Sequence, residues 1–279
     1  MKKLITTVTF VAAFIIARGQ ELYPYTEPAS NMPAKSIGVK NSSIFHRDIH
    51  SDRVVQRHMP EVMFGLNKNW MFHIGTNFSD MHQPKMIWEG GRVYAKYRFL
   101  SNDDVHKHFR MAVFGAAAYS RNHLDHNEIN LMMGEQSGVQ AGLIATQLWN
   151  KFAISATGSW NEVLTKDRWD KRFEGRYAGQ AINYSLSAGY LLLPFEYKDY
   201  NQTNINLYAE LLGSRNLQFP REKYFIDLAP SVQAIFNSTA KLNVGYRFQL
   251  SSDIYRLTRN SFMVSFEYIF LNALRRKTN

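Results

Sequence analysis

Three stretches of the chain gather imidazole, thioether and carboxylate groups at short spacing. "HRDIH" holds His46 and His50, "DMHQPKM" holds Met81, His82 and Met86, and "HLDHNEINLMM" holds His123, Asp125, His126, Glu128, Met132 and Met133. Imidazole with thioether suits copper, and imidazole with carboxylate suits zinc or nickel. His46, His50, His82, His123 and His126 are therefore the candidate metal ligands. Two histidines four residues apart meet on a helix but not in an extended loop, so the spacing alone builds no site, and solvated loop histidines are the plainer reading. The patterns that hydrolases need are missing. There is no Gly-x-Ser-x-Gly, no His-Glu-x-x-His and no convincing carboxylate pair, so no catalytic residue is assigned. The absence of cysteine excludes disulfides and thiolate metal sites. Nothing in the sequence implies a cofactor.

A second group carries charge rather than metal-binding chemistry. Arg92, Lys96 and Arg98 stand at i, i+4 and i+6. On an extended strand they share one face and make a stripe roughly 20 Å long. What such a stripe does depends on what that face borders, and hence on the elements that carry it.

Those elements read as strands. From Ser261 to Phe270, Phe262, Val264, Phe266, Tyr268 and Phe270 alternate with Met263, Ser265, Glu267 and Ile269. Alternation of this kind sends the two sets to opposite faces. Trp70–Ser79, Ala181–Leu193 and Ala240–Leu250 repeat it, and weaker versions cover 36–45, 59–66, 91–100, 109–120, 138–148, 152–163, 204–212 and 224–236. That makes twelve segments, with tight polar turns such as "NKN" and "NST" alternating broadly with longer loops. The face opposite the apolar one is rich in Gly, Ala, Ser, Asn, Gln and Tyr, and poor in the Lys, Glu and Asp that a soluble sandwich would show to water.

Short turns on one side, long loops on the other and an even strand number predict an all-β fold: a transmembrane, antiparallel up-and-down β-barrel of about twelve strands over residues 36–270. No later stretch approaches a membrane-spanning apolar helix, and only helices and closed barrels satisfy their backbone in lipid. Lys40, Glu61, Arg92, Lys96, Arg98, Arg110, Glu210, Asp227, Arg247 and Glu267 then point into the lumen. Either they pair into a network that plugs the barrel, or the Arg92/Lys96/Arg98 stripe lines a water path that favours anions. His73 reads as a hydrogen-bonding lumen residue. Trp70, Trp88, Trp149 and Trp160 fall near strand ends, as an interfacial girdle requires. Trp169 falls in a charged loop with Lys166, Arg168, Lys171 and Arg172.

Residues 1–19 read as a cleaved export signal. Lys2 and Lys3 precede the apolar run Leu4–Ile16, and Ala17-Arg18-Gly19 is a small-x-small site, so cleavage is expected between Gly19 and Gln20. Losing Lys2, Lys3 and Arg18 takes the formal net charge from +10 to +7. Export argues against nucleic acid as a partner, and no recognition module for it is present. Residues 20–35, with three prolines, read as an extended periplasmic segment, and residues 271–279 as a basic C-terminal tail.

With this pattern the chain resembles the outer-membrane β-barrels of Gram-negative bacteria. "SFEYIF" is similar to their C-terminal assembly signal, although "LNALRRKTN" follows it here. That resemblance implies outer-membrane lipid and the barrel-assembly machinery, acting through the last strand, as partners. "YTEPASNMPAKSIGVK" also resembles the opening of the transporter family named after the meta-pathway of phenol degradation. Thr26, Glu27, Pro33 and Ile37 fit that opening, while Ala34 and Lys35 replace its Lys-Gly step. This resemblance implies a small channel for an undefined solute and nothing catalytic. The alternatives are metal capture by the His/Met loops and an outer-membrane hydrolase.

Overall fold

The computed structural model describes residues 23–48, 52–105, 107–124, 126–165, 177–195, 201–217 and 223–275. Their strands are β1 (Ser36–Arg47), β2 (Val54–Gly65), β3 (Trp70–Ser79), β4 (Ile87–Asp103), β5 (Lys107–Ser120), β6 (Gly138–Trp149), β7 (Phe152–Val163), β8 (Gln180–Leu193), β9 (Asn204–Asn216), β10 (Tyr224–Phe236), β11 (Ala240–Ser252) and β12 (Asn260–Phe270). Each pairs antiparallel with its sequence neighbours, and β1 pairs with β12, closing a twelve-stranded barrel. Full closure leaves no strand edge unpaired.

Period-two patterning decides which face turns inward, because one register slip would flip every side chain. In β12, Phe262, Phe266, Tyr268 and Phe270 are exposed while Met263, Ser265, Glu267 and Ile269 are buried. In β11, Leu242, Val244 and Tyr246 are exposed while Lys241, Asn243 and Arg247 are buried. The same inversion runs around the barrel: Ile74, Val93, Leu143, Leu186, Leu211 and Val232 lie outside, and Lys96, Glu89, Glu210 and Gln233 are fully buried. A soluble protein puts these classes the other way round. An apolar exterior around a polar interior matches a hydrocarbon solvent.

Aromatic residues mark both rims of the apolar band. At the short-turn end Trp70 packs on Tyr97, with ring centroids 4.7 Å apart, and Trp149 stacks on Phe152 at 6.3 Å. At the other end Trp88 lies 6.3 Å from Tyr119, and Trp160 is exposed nearby on β7. Trp169 and its basic neighbours lie outside the described residues.

Connections 66–69, 104–106, 150–151, 194–203 and 237–239 share one end, and 48–53, 80–86, 121–137, 164–179, 217–223 and 253–259 share the other. The longer turn read at Ser101–His108 is largely strand, because β4 runs on to Asp103 and β5 begins at Lys107. Charged residues there extend the ladder beyond the apolar band, where polar side chains carry no desolvation cost.

Two expectations change. Residues 23–35 do not hang outside the barrel but run into its lumen from the short-turn end and return to β1. The loop 121–137, expected to reach outward, folds down into the opposite mouth. Its Leu124, Ile129 and Leu131 are buried against Val163, Ala178 and Ala181.

Candidate functional site

Among the described residues the buried polar side chains concentrate in the lumen, and two segments enter it. The first is the N-terminal strap, residues 23–35. Glu210 of β9 accepts hydrogen bonds from the Tyr25 backbone N–H at 3.0 Å and the Thr26 hydroxyl at 2.6 Å. Lys96 of β4 is fully buried, and its Nζ donates to the carbonyls of Pro28 at 2.7 Å and Ser30 at 2.9 Å and to Glu27 Oε2 at 3.3 Å. Arg110 of β5 donates to Ser30 Oγ at 2.8 Å and pairs with Asp103 at 2.8 Å. Thr146 of β6 accepts from the Ala29 N–H at 2.9 Å. A Cβ on Gly65 would stand 2.3 Å from the Pro33 carbonyl, so β2 ends on the one residue that lets the strap backbone pass.

The second segment is the loop 121–137, held by interlocked charges. Glu128 accepts from Arg256 Nε at 2.8 Å and from Arg247 Nη2 at 3.2 Å. Asp227 of β10 binds the same two guanidiniums, Arg247 Nε at 2.6 Å and Arg256 Nη1 at 2.8 Å. Further round the mouth, Arg57 of β2 pairs with Glu89 at 3.0 Å and with Glu135 of the loop. Arg92 binds the Met132 carbonyl and Glu61 Oε2 at 2.8 Å. Burial alone would raise the Glu128 carboxyl, but Arg256 and Arg247 outweigh it and hold it down at about 2. Glu135 is likewise held well below the usual range, with Arg57 overcoming its burial.

The sign of the pH dependence follows. A released Glu128 would titrate near 4.3. The latch is therefore at full strength above that pH and is lost as pH falls through about 2. Loop position should be unchanged between pH 8 and 5, which hydrogen exchange across residues 121–137 would check.

Between strap and loop lies a chamber of ≈ 250 Å³. Tyr25 and Glu27 of the strap, Met132 and Met133 of the loop, and Lys40, Glu61, His73, Arg92, Tyr94 and Arg247 of the wall all face it. Lys40 and Arg92 are both committed to Glu61, at 3.6 and 2.8 Å. Glu267 pairs with Lys241 at 2.5 Å. Arg98 sits lower on β4, where Asn69 donates to its carbonyl at 2.7 Å. Arg92 and Lys96 of the basic stripe thus bind the two inserted segments instead of lining open water.

Several residues here escaped the sequence reading for identifiable reasons. Arg57 and Glu89 lie in strand residues beyond the boundaries drawn at 59 and 91. Lys241 shares the parity of Asn243 and Arg247 and could have been added from alternation. Arg256 lies in a loop where no periodicity speaks. The run of Leu124, Ile129, Leu131, Met132 and Met133 in a connection was the available sign that this loop buries itself.

The candidate metal ligands are not gathered in outward loops. His46 is buried in β1 below the mouth. His82 Nε2 and His126 Nε2 both approach Glu135 Oε2, at 3.6 and 3.4 Å. His123 joins neither contact, and His50, Gly19 and Gln20 lie outside the described residues. Among the described residues no three His, Asp or Glu side chains converge as metal ligands. On the outer surface Ser43 Oγ lies 2.8 Å from His58 Nδ1, and His58 Nε2 lies 3.3 Å from Gln56 Oε1. Among the described residues His58 has no carboxylate partner, so the pair lacks the group that would orient an imidazole base.

No family model and no curated protein matches the chain. Solved barrels do share its fold. The COG4313 outer membrane channel from Pseudomonas putida F1 superposes with a TM-score of 0.58 at 13% identity, over 90% of this chain and 100% of that one. KdgM porin superposes with a TM-score of 0.54 at 8% identity, over 84% of this chain and 99% of that one.

Proposed function

We propose that this chain is an outer-membrane channel of a Gram-negative bacterium that rests closed and admits a small solute into an internal chamber. The carrying observation is the arrangement of the lumen. Two separate segments enter from opposite ends, each held by buried charge, and leave a chamber of ≈ 250 Å³ between them. A barrel with a purely structural role would be served by lumen side chains alone. Here both inserted segments are attached through ion pairs and hydrogen bonds, contacts that exchange for water at modest cost once water enters. The apolar band and its aromatic rims support the membrane assignment, and the fold shared with the two channels supports the passive role.

Export by a cleaved signal ahead of Gln20, and delivery through the C-terminal strand, belong to the same reading. Leu271–Arg275 follow β12, and the Leu274 N–H donates to the Lys35 carbonyl at 3.0 Å, keeping the start of the tail beside the entry of the strap.

Arg256 offers the direct test. It contributes bonds to both Glu128 and Asp227, while Arg247 alone remains if it is removed. In planar bilayers the full mature chain should show only brief openings, and Arg256→Ala should lengthen them. If neither the variant nor the parent passes current under any applied voltage, the channel reading fails and a plugged structural barrel stands in its place.

A further inference from the structure

The carboxylates of the described lumen are already committed. Glu61 is held by Arg92, Glu89 and Glu135 by Arg57, Glu128 and Asp227 by Arg247 and Arg256, Glu267 by Lys241 and Glu27 by Lys96, while Glu210 accepts hydrogen bonds from Tyr25, Thr26 and Ser187. A hard divalent cation would have to break one of these pairs or displace the strap from Glu210. Among the groups left without partners are two imidazoles beside the thioethers. His46 is buried, and neither of its ring nitrogens has a hydrogen-bond partner. His73 is buried on the chamber wall with Nε2 unpartnered. Buried imidazole nitrogens without partners are uncommon, because each costs the desolvation of a polar atom.

Thioethers gather beside them in two clusters, among aliphatic and aromatic side chains. His46, Met81 and Met133 line one cavity at the mouth. Met133 packs with Met59 and Met263 along the chamber. Its neighbour Met132 packs with Met63, Met71 and Met32, which reach the short-turn end. Met132 and Met133 are successive residues of the one-turn helix Leu131–Met133, so the loop contributes one thioether to each cluster. Four of the guanidiniums nearby are matched by carboxylates: Arg57 with Glu89 at 3.0 Å, Arg247 with Asp227 at 2.6 Å, Arg256 with Glu128 at 2.8 Å and Arg92, whose Nη1 also donates to the Met59 sulfur at 3.8 Å, with Glu61 at 2.8 Å. Neutral sulfur and imidazole ligands select soft cations over Zn(II), Mg(II) or Ca(II).

We propose that the mouth cavity and the two thioether clusters below it bind a soft monovalent cation of the Cu(I) class, entering at His46, Met81 and Met133. The inference deepens the channel reading by naming a solute class for the same lumen. Its test needs no open channel, because binding is measured at equilibrium on the closed barrel, so failure here leaves the conductance result untouched.

Methionine also serves as an adaptable gap filler. Leucine separates the two roles, since it occupies nearly the same volume without sulfur. The full mature chain in detergent would be titrated with Ag(I), a redox-inert probe of the same softness, and with Zn(II). Bound metal would be counted after desalting, and the methionine methyl resonances followed by NMR. Wild type should retain Ag(I) and not Zn(II), with the methyls of Met133, Met59 and Met263 shifting. A Met59→Leu, Met133→Leu, Met263→Leu variant should lose affinity by about tenfold or more, roughly 1.4 kcal/mol. Undiminished Ag(I) binding in the folded leucine variant, or none in wild type, would overturn the proposal. Should the triple variant not fold, the methyl titration of wild type decides alone: unmoved methionine methyls at saturating Ag(I) sink it.

Discussion

A chain shortened to begin at residue 35 should fold as the same barrel and conduct continuously where the chain that keeps the strap opens only briefly. The strap adds no strand to the sheet, so its loss leaves every ladder intact. What it contributes is steric. Tyr23 packs its ring 5.5 Å from that of Tyr208, Tyr25 lies over Gly245, and Met32 lies against Met71. Lys96 might seem a hazard, since a buried ion that loses its partners costs roughly 3–5 kcal/mol. Its partners come from the strap itself, at Glu27, Pro28 and Ser30, so the segment that neutralises it is also the one that keeps it dry. With the strap gone, water reaches the ammonium and the penalty largely disappears. Single-channel recording on the refolded protein should show stable steps whose size depends on salt. Lys96, then freed of Glu27, faces the opening and should bias those steps toward anions, which reversal potentials in a salt gradient would reveal. Steady closure of a properly folded truncation would mean that the loop 121–137 seals the barrel alone.

The second large effect concerns the other face. Val244 is exposed on β11 between Val232 of β10 and Val264 of β12, well inside the two aromatic rims. Val244→Arg should cost about 2–4 kcal/mol in reversible folding into lipid vesicles, the usual penalty for a guanidinium at the bilayer midplane. The same exchange at an exposed residue in water would move stability by about 0.5 kcal/mol or less. The two solvents therefore predict different outcomes for one substitution. Urea titration of parent and variant in vesicles separates them, and unchanged stability would remove lipid from this surface.

The strands were legible because alternation is a local signal and each strand repeats it. Trp70–Ser79 and Phe152–Val163 match the structure at both ends. Boundaries slipped where the ladder continues past the membrane. β2 begins at Val54 rather than at 59, and β9 runs on to Asn216 past the expected 212, through residues whose polarity resembles that of a loop. The contents of the lumen were half legible. Parity alone points Glu61, Arg92, Lys96 and Glu210 inward, but what they touch is decided by segments with no period of their own. The strap reads as an extended proline-containing leader, and only its contacts with Lys96 and Glu210, distant in sequence, place it inside. The same holds for Glu128, whose partners Arg247 and Arg256 lie more than a hundred residues downstream. Pairings of that range carry no signature in a single sequence.

The contact between the first and last strands has a consequence for assembly order. Ile37 faces Phe270 and Phe45 faces Phe262 along an unbroken register, and the strap emerges directly from the foot of β1. All other strand pairs join sequence neighbours and can form as hairpins, whereas this one must wait for both ends of the chain to meet. The strap adds no rung to that seam, and because it enters the lumen from the short-turn end it needs no gap in the wall to take its place. The strap therefore seats last: the sheet closes on its own ladders, and the fit to Gly65 and Glu210 follows once that seam is made.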